Sequence, residues 1–406
     1  MTADAPSSEA ELVALIAAAG EEGRALVTEG GGTKRAFGAA APPEARRVSL
    51  RGLARVTRHD VADMILSVEP GARLRDVQAA LAAHDQWLPV DPPFAEAGAT
   101  LGGILAAGSS GPRRLGYGTI KDHLLGLRVA GAHGRVTKSG GRVVKNVSGY
   151  DLHRPQVGAF GSLGVIVEAH LKVAARPETS ALWALPCATL DSAHRLLLEV
   201  AASALRPVAL EALDAGAAGL VRARGGALPG GGGQAVAVVG IEGSRATFER
   251  HARDLGVFAP RGVGAAALVE RPESSALWEA LADLPAAESA DVRVRVGARP
   301  HDLPALLAAL ELSHGTAGAV SVRAGVGLAH VALAPGGDAA PLAALVDRWS
   351  RLASARDGYA VVASAPLDLP GRARLPFGAG SSAGPAAALR SAWDPRGLLN
   401  PGRMAP

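Results

Sequence analysis

Glycine, serine and threonine recur between Glu29 and Val173 in runs suited to binding an anion through backbone N–H groups. The chain reads Glu29-Gly30-Gly31-Gly32-Thr33-Lys34, then Gly98-Ala99-Thr100-Leu101-Gly102-Gly103, then Ser109-Ser110-Gly111-Pro112-Arg113-Arg114. Lys145-Asn146-Val147-Ser148-Gly149-Tyr150-Asp151 and Gly161-Ser162-Leu163-Gly164-Val165 follow. Glycine has no Cβ, so an amide at such a turn can approach a ligand closely. Successive free amides form a nest suited to a pyrophosphate. The first run is not a Walker motif, which needs Gly, four residues, then Gly-Lys-Ser/Thr; alone, it reads more simply as a turn after a strand. Thr100 to Gly103 opens a helix whose N-terminal amides and dipole suit a phosphate. The same residues would also serve a close helix–strand contact with no ligand.

Fewer side chains invite chemistry. Arg113 and Arg114 are adjacent, so they need not share a face; either guanidinium matches the two oxygens of a phosphate or carboxylate. His123 and His153 are candidate bases by residue type only, and an ordinary polar position is the simpler reading of each. The run Arg323-Ala324-Gly325-Val326-Gly327-Leu328-Ala329-His330 offers one imidazole, which does not make a metal site, since divalent ions need several N or O ligands. The single cysteine, Cys187, excludes a disulfide within the chain and an iron–sulfur cluster ligated by it alone. Electrons handled here must leave through another molecule.

Helices are expected at Ser8 to Ala19, capped by Ser7 or Ser8, and at Leu74 to His84. Strands are expected at Ala25 to Thr28, Val48 to Leu50, Ala62 to Val68, Leu124 to Val129 and Leu163 to Val167. Trp87 to Pro93 is extended, because residues before proline disfavour helix. The character changes after Arg176-Pro177. Helices follow at Leu190 to Ala204, Ser244 to Leu255, Ser274 to Ala282 and Asp302 to Leu312. Strands follow at Gln234 to Ile241, Asp291 to Val296, Ala319 to Val322 and Ala329 to Leu333. That alternation predicts an α+β layer with helices on one side of an antiparallel sheet. The 406 residues are 48% hydrophobic, enough for two or three domains. Net charge is +4, from 42 basic and 38 acidic residues, with no basic run, so nucleic acid is not an expected partner. The N-terminus lacks the pattern of a signal peptide, no apolar stretch reaches bilayer length, and a cytoplasmic protein is the expectation.

The four later glycine motifs, in this order, resemble the flavin-binding half of the vanillyl-alcohol-oxidase superfamily, with its PCMH-type FAD-binding domain. The GPRR and KNVSGYD runs are similar to those of FAD-binding subunits of bacterial glycolate oxidases, and Trp393 to Arg403 resembles the family's C-terminal signature. The resemblance implies an α+β fold: a two-part FAD-binding domain at 1–176, an α+β cap at 177–365, and a segment, 366–406, returning to the flavin domain. It implies FAD held by Gly30, Gly31, Gly32, Thr33, Lys34, Gly98, Ala99, Thr100, Gly102, Gly103, Ser109, Ser110, Gly111 and Arg113, and by Asn146, Gly149, Tyr150, Asp151, Gly161, Gly164, Val165 and Asn400. Asn400 could equally only cap a turn. Some relatives attach FAD through a histidine in the first loop; none lies between Gly30 and Gly38, so non-covalent FAD is expected.

The cap departs from the family. Relatives acting on 2-hydroxy acids carry His-Ala-Gly-Asp-Gly-Asn-x-His, serving metal and substrate; here Arg323, Val326 and Leu328 replace the first histidine, the aspartate and the asparagine, and only His330 remains. No metal is expected. The resemblance implies a subunit that oxidises glycolate to glyoxylate with a second flavin subunit and an iron–sulfur subunit, with peripheral membrane association possible through that complex. His330 is the catalytic candidate, with Arg113 or Arg323 holding the carboxylate. The alternatives are a non-catalytic flavin-binding scaffold and a free-standing FAD oxidoreductase with another substrate.

Overall fold

The computed structural model describes residues 3–143, 149–261, 263–285, 291–310, 317–334, 338–375, 377 and 383–403. The chain forms two compact units. The first comprises 1–110, 118–176 and 378–406; the second comprises 111–117 and 177–377.

In the first unit, α1 (Glu9–Glu21) is capped by Ser8, whose Oγ accepts from the Glu11 amide at 3.2 Å. It buries Leu12, Ile16 and Ala19 against Leu26, Val48, Ala130 and Val165. Strand β1 (Leu26–Glu29) pairs in parallel with β2 (Arg46–Ser49). A five-stranded antiparallel sheet runs in the order β3 (Val56–Asp60), β4 (Ile65–Val68), β8 (Val165–Lys172), β6 (Leu124–Ala130), β7 (Val136–Gly140). Helix α2 (Leu74–Ala82) buries the expected Leu74, Val77 and Leu81. The short strand β5 (Gln86–Trp87) pairs with β9 (Ala174–Ala175). Helices α3 (Leu101–Ala107) and α5 (Ile120–His123) complete the middle of this unit. The C-terminal helix α12 (Ala383–Trp393) leads to Asp394, whose carboxylate accepts from the amides of Leu398 and Leu399 at 2.9 and 2.7 Å. The turn thus made lays the tail beside β1: the Leu26 amide donates to Leu398 O at 2.8 Å, and the Asn400 amide to Leu26 O at 2.7 Å.

The second unit is built on an eight-stranded sheet in which every pair is antiparallel. Its order is β13 (Ala267–Glu270), β10 (Thr179–Cys187), β12 (Ala235–Gly243), β11 (Ala209–Leu213), β15 (Ala317–Arg323), β16 (Leu328–Leu333), β14 (Val292–Gly297), β17 (Tyr359–Ser364). One face carries Leu210, Val320, Val322 and Val331. It packs on α6 (Leu190–Ala202), α8 (Arg245–Leu255), α10 (Leu303–Ala309) and α11 (Ala339–Ser354) through Leu197, Phe248, Leu306 and Trp349. The other face, with Ala209, Leu213, Ala319 and Ala332, packs on α7 (Ala215–Ala223) and α9 (Ser274–Asp283). The expectation of helices on one side is therefore corrected: helices cover both faces. All nine residues of β10 are buried, and such unbroken burial marks a sheet covered on both sides. The short helix α4 (Arg114–Tyr117) belongs to this unit, not the first.

Candidate cofactor site

The buried Leu26 and Val27 anchor β1, and the chain leaves it through the glycine run. A Cβ on Gly30 would collide with the Thr100 side chain, and one on Gly31 with the Gly98 carbonyl. Only glycine permits that approach, so Gly30 and Gly31 are brought against the second motif. Gly32 has φ +75°, which L side chains adopt at a cost. The carbonyls of Gly30 and Gly31 accept from the Arg51 guanidinium at 3.1 and 2.9 Å. Among the described residues the amides of Gly30, Gly31, Gly32 and Thr33 meet no acceptor. Amides without internal acceptors, on four half-buried residues, are suited to receiving an anion. Lys34 is buried beside them; its Nζ donates to Pro93 O at 3.3 Å and lies 5.9 Å from the centre of the Phe94 ring.

The helix start at Thr100 behaves differently. The Leu101 amide donates to Ala72 O at 2.9 Å and the Gly102 amide to Pro70 O at 2.8 Å. The Gly103 amide donates to the Thr100 hydroxyl at 3.4 Å. A Cβ on Gly102 would sit 2.9 Å from Pro70 O. These amides are engaged internally, so the close-contact reading of Thr100 to Gly103 fits the geometry better than the phosphate reading. Gly98 has φ +99° and Ala99 donates to Phe94 O at 3.0 Å. Ser109 follows α3 and its amide donates to Ile104 O at 3.1 Å. Ser110 closes the first-unit segment, and Gly111 begins the stretch belonging to the second unit.

Asn146 and Lys145 lie outside the described residues. Gly149 has φ +83°, Tyr150 is 89% exposed, and Asp151 pairs with Arg154 at 3.0 Å. Ser139 holds this segment: its hydroxyl donates to Tyr150 O at 3.3 Å and accepts from the His153 amide at 3.1 Å. The His153 Nδ1 lies 3.0 Å from the same oxygen, and burial lowers the imidazole's pKa. His153 is thus a buried structural histidine, and His123 ends α5.

Asn400 is 2% exposed and holds a left-handed φ of +45°. Its Oδ1 accepts from the Thr28 amide at 3.0 Å, and its Nδ2 donates to Gly161 O at 3.0 Å and Thr28 Oγ at 3.1 Å. It therefore ties the end of β1, the turn at Gly161 and the tail into one cluster. Gly161 has φ +73°, and a Cβ there would press on Asn400 Nδ2 at 2.7 Å. A Cβ on Gly164 would collide with Val129, immediately before Val165 starts β8.

The remaining candidates lie in the second unit. Arg113 donates through Nε and Nη2 to Glu242 Oε1 at 3.0 and 2.9 Å, and its guanidinium stacks 3.8 Å from the centre of the Trp278 ring. Ser180 donates to the same oxygen at 2.6 Å, and Trp278 Nε1 donates to Ser180 at 3.2 Å. Burial, reinforced by the Glu242 carboxylate, pushes the pKa of the neighbouring Tyr117 up. The expectation that Arg113 contacts the cofactor or a substrate carboxylate meets a guanidinium already committed to a buried carboxylate. Arg323 likewise pairs with Glu211 at 3.5 Å, both side chains at most 5% exposed. His330 pairs in register with Ser321 and Arg295 on the same sheet. Its Nε2 is enclosed without a partner. Burial, then the charges of Arg323, Arg295, Arg114 and Arg293, hold it well below the usual imidazole range. Among the described residues no three His, Cys, Asp or Glu side chains gather as a metal site. Arg51, Glu211 and Glu242 escaped the sequence reading, because an ion pair or carbonyl contact between distant strands leaves no local spacing.

Residues 3–140 match the FAD binding domain family, and residues 176–310 match the C-terminal domain of FAD linked oxidases. The chain thus carries a FAD binding domain followed by a FAD linked oxidase C-terminal domain, and its cofactor is FAD. It is 37% identical over 155 residues to glycolate oxidase subunit GlcE of Escherichia coli, covering 38% of this chain and 44% of that protein. It is 31% identical over 211 residues to glycolate oxidase subunit GlcD of Bacillus subtilis, covering 52% and 44%. To D-lactate dehydrogenase of Archaeoglobus fulgidus it is 32% identical over 209 residues, covering 52% and 46%. The chain thus matches less than half the length of these relatives. A solved alkyldihydroxyacetonephosphate synthase shares the fold, with a TM-score of 0.68 at 18% identity over 98% of this chain and 76% of that one. The free amides of Gly30 to Thr33 and the glycine-tight approach to Gly98 and Thr100 fit the pyrophosphate of FAD.

Proposed function

We propose that this chain is the FAD-holding subunit of a glycolate-oxidase-like complex that oxidises a small 2-hydroxy acid, glycolate to glyoxylate, together with a second flavin subunit and an iron–sulfur subunit. FAD is held non-covalently, since the first loop carries no histidine between Gly30 and Gly38. The identity to GlcE supports the subunit assignment. The observation that carries dependence on partners is the pair of buried ion pairs, Arg113–Glu242 and Arg323–Glu211. Arg113 and Arg323, the two guanidinium candidates for a substrate carboxylate, are each already paired with a carboxylate within the chain. Bound FAD would supply a hydride acceptor.

The chain's own residues hold and position. The Gly30 to Thr33 amides receive the diphosphate, Lys34 adds a buried cation beside them, and Asn400 fixes the Gly161 turn against β1. A second reading rests on His330. Burial and the surrounding arginines favour its neutral imidazole, the state a proton acceptor requires, and in a free-standing oxidoreductase it would take the hydroxyl proton. That role needs the ring to turn, because Nε2 is enclosed.

The purified, FAD-loaded chain should show little turnover with glycolate or D-lactate and a dye acceptor, and co-purification with its native partners should restore it. Robust turnover by the chain alone, lost in His330→Ala, would establish the second reading instead.

A further inference from the structure

The loop that carries the free amides is held from outside by arginines drawn from distant points of the chain. Arg51 Nε and Nη2 donate to the carbonyls of Gly30 and Gly31. Arg403 Nη2 donates to Lys34 O at 2.9 Å, and its Nη1 to Arg35 O at 2.8 Å and Ala39 O at 3.4 Å. Glu29, at the loop's entry, is paired with Arg35 and Arg47. Arg403 also lies over the Phe160 ring, 5.5 Å from its centre, beside the turn that Asn400 fixes.

A trans peptide unit sets its C=O and N–H in opposite directions. A guanidinium that fixes the Gly30 and Gly31 carbonyls on one side therefore fixes the Gly31 and Gly32 amides on the other. Glycine has the largest backbone freedom to lose, so three in a row would sample many orientations without such a hold. A cofactor would then have to order them itself, at a cost in affinity. One planar fork can hold two carbonyls at once, and a lysine ammonium cannot reproduce that geometry.

We propose that Arg51, seconded by Arg403 further along the loop, is a positioning residue that presets the Gly31 and Gly32 amides for the pyrophosphate of FAD. This rests on the reading of that loop as the cofactor's cradle. The returning C-terminal tail then has a role in cofactor binding, because it brings Arg403 to the loop and Asn400 to the turn.

The test is titration of FAD into apoprotein prepared from the wild type, Arg51→Lys, Arg51→Ala and Arg403→Lys. Apoprotein melting and the 31P resonances of bound FAD are read alongside. Arg51→Lys and Arg51→Ala should each weaken FAD by about tenfold or more, the worth of losing charge-assisted hydrogen bonds. Arg403→Lys should have a smaller effect. Apoprotein melting should stay near the wild type, and the 31P resonances should move toward those of free FAD. Retention of wild-type affinity and 31P shifts by Arg51→Lys would overturn the proposal, because charge alone would then suffice. Loss of affinity matched by an equal loss of apoprotein stability in both Arg51 variants would also overturn it, since the role would be structural. A wild-type chain that takes up no FAD would instead sink the cradle reading on which the proposal rests.

Discussion

At the scale of single residues, the glycines of the flavin half divide into two kinds. Gly31 is tight against the Gly98 carbonyl beside free amides, whereas Gly102 is tight against Pro70 with its own amide engaged. Gly31→Ala is expected to displace the loop and weaken FAD by about tenfold or more, read by flavin fluorescence titration. Gly102→Val is expected to lower apoprotein stability by about 1–3 kcal/mol through overpacking, read by chemical denaturation without cofactor. Unchanged stability of Gly102→Val with lost FAD affinity would return Gly102 to the cofactor. Both positions look alike in the sequence, because spacing shows where glycine occurs but not which neighbour demands it.

His194 is a second residue-scale case. It lies in α6, 1% exposed, with neither ring nitrogen partnered. Burial pushes its pKa down to about 4, with Asp191 opposing and Arg195 reinforcing. An unfolded histidine titrates near 6.5, so the unfolded chain binds the proton first as pH falls. Stability should be unaffected above about pH 6.5 and decline through that window to about 4, by about 3 kcal/mol in total. His194→Leu should flatten that acid limb and raise the melting temperature near pH 5. An unaltered acid limb would place the sensitivity elsewhere.

At the scale of elements, the periodic helices are legible: α2, α6, α8 and α9 fall within a few residues of the expected spans. Helix α11, the longest of the described helices, lies outside the spans expected from the sequence. Strands β10 and β11 are also missed, because residues buried on both sides lose the alternation that marks a strand. The segment 111–117 shows a further limit. Its neighbours in sequence belong to one unit, while its Arg113 is buried in the other beside Glu242 and Trp278. Removing one member of a buried pair leaves an uncompensated charge, costing about 3–5 kcal/mol. Arg113→Ala should therefore destabilise the second unit strongly in a denaturation curve, and Arg113→Ala with Glu242→Ala together should cost less than the sum of the two alone. Strict additivity would deny the coupling.

At the scale of the whole molecule, the glycine motifs carry the FAD assignment because a cofactor cradled by backbone demands a residue type. The substrate side is less legible. Arg323 is visible as a departure from a motif and His330 as its one remaining residue, but the pairing of Arg323 with Glu211 and the burial of His330 depend on contacts across strands. Among the described residues no helix is long and apolar enough to cross a membrane.

The central claim is that this chain holds FAD without a covalent bond, in a cradle formed around Gly30 to Thr33. Acid precipitation of the FAD-saturated protein, with flavin assayed in both fractions, tests it most directly. The account predicts one FAD per chain, released wholly to the supernatant. A yellow pellet would contradict the non-covalent assignment, and a colourless protein that ignores added FAD would contradict the cradle itself.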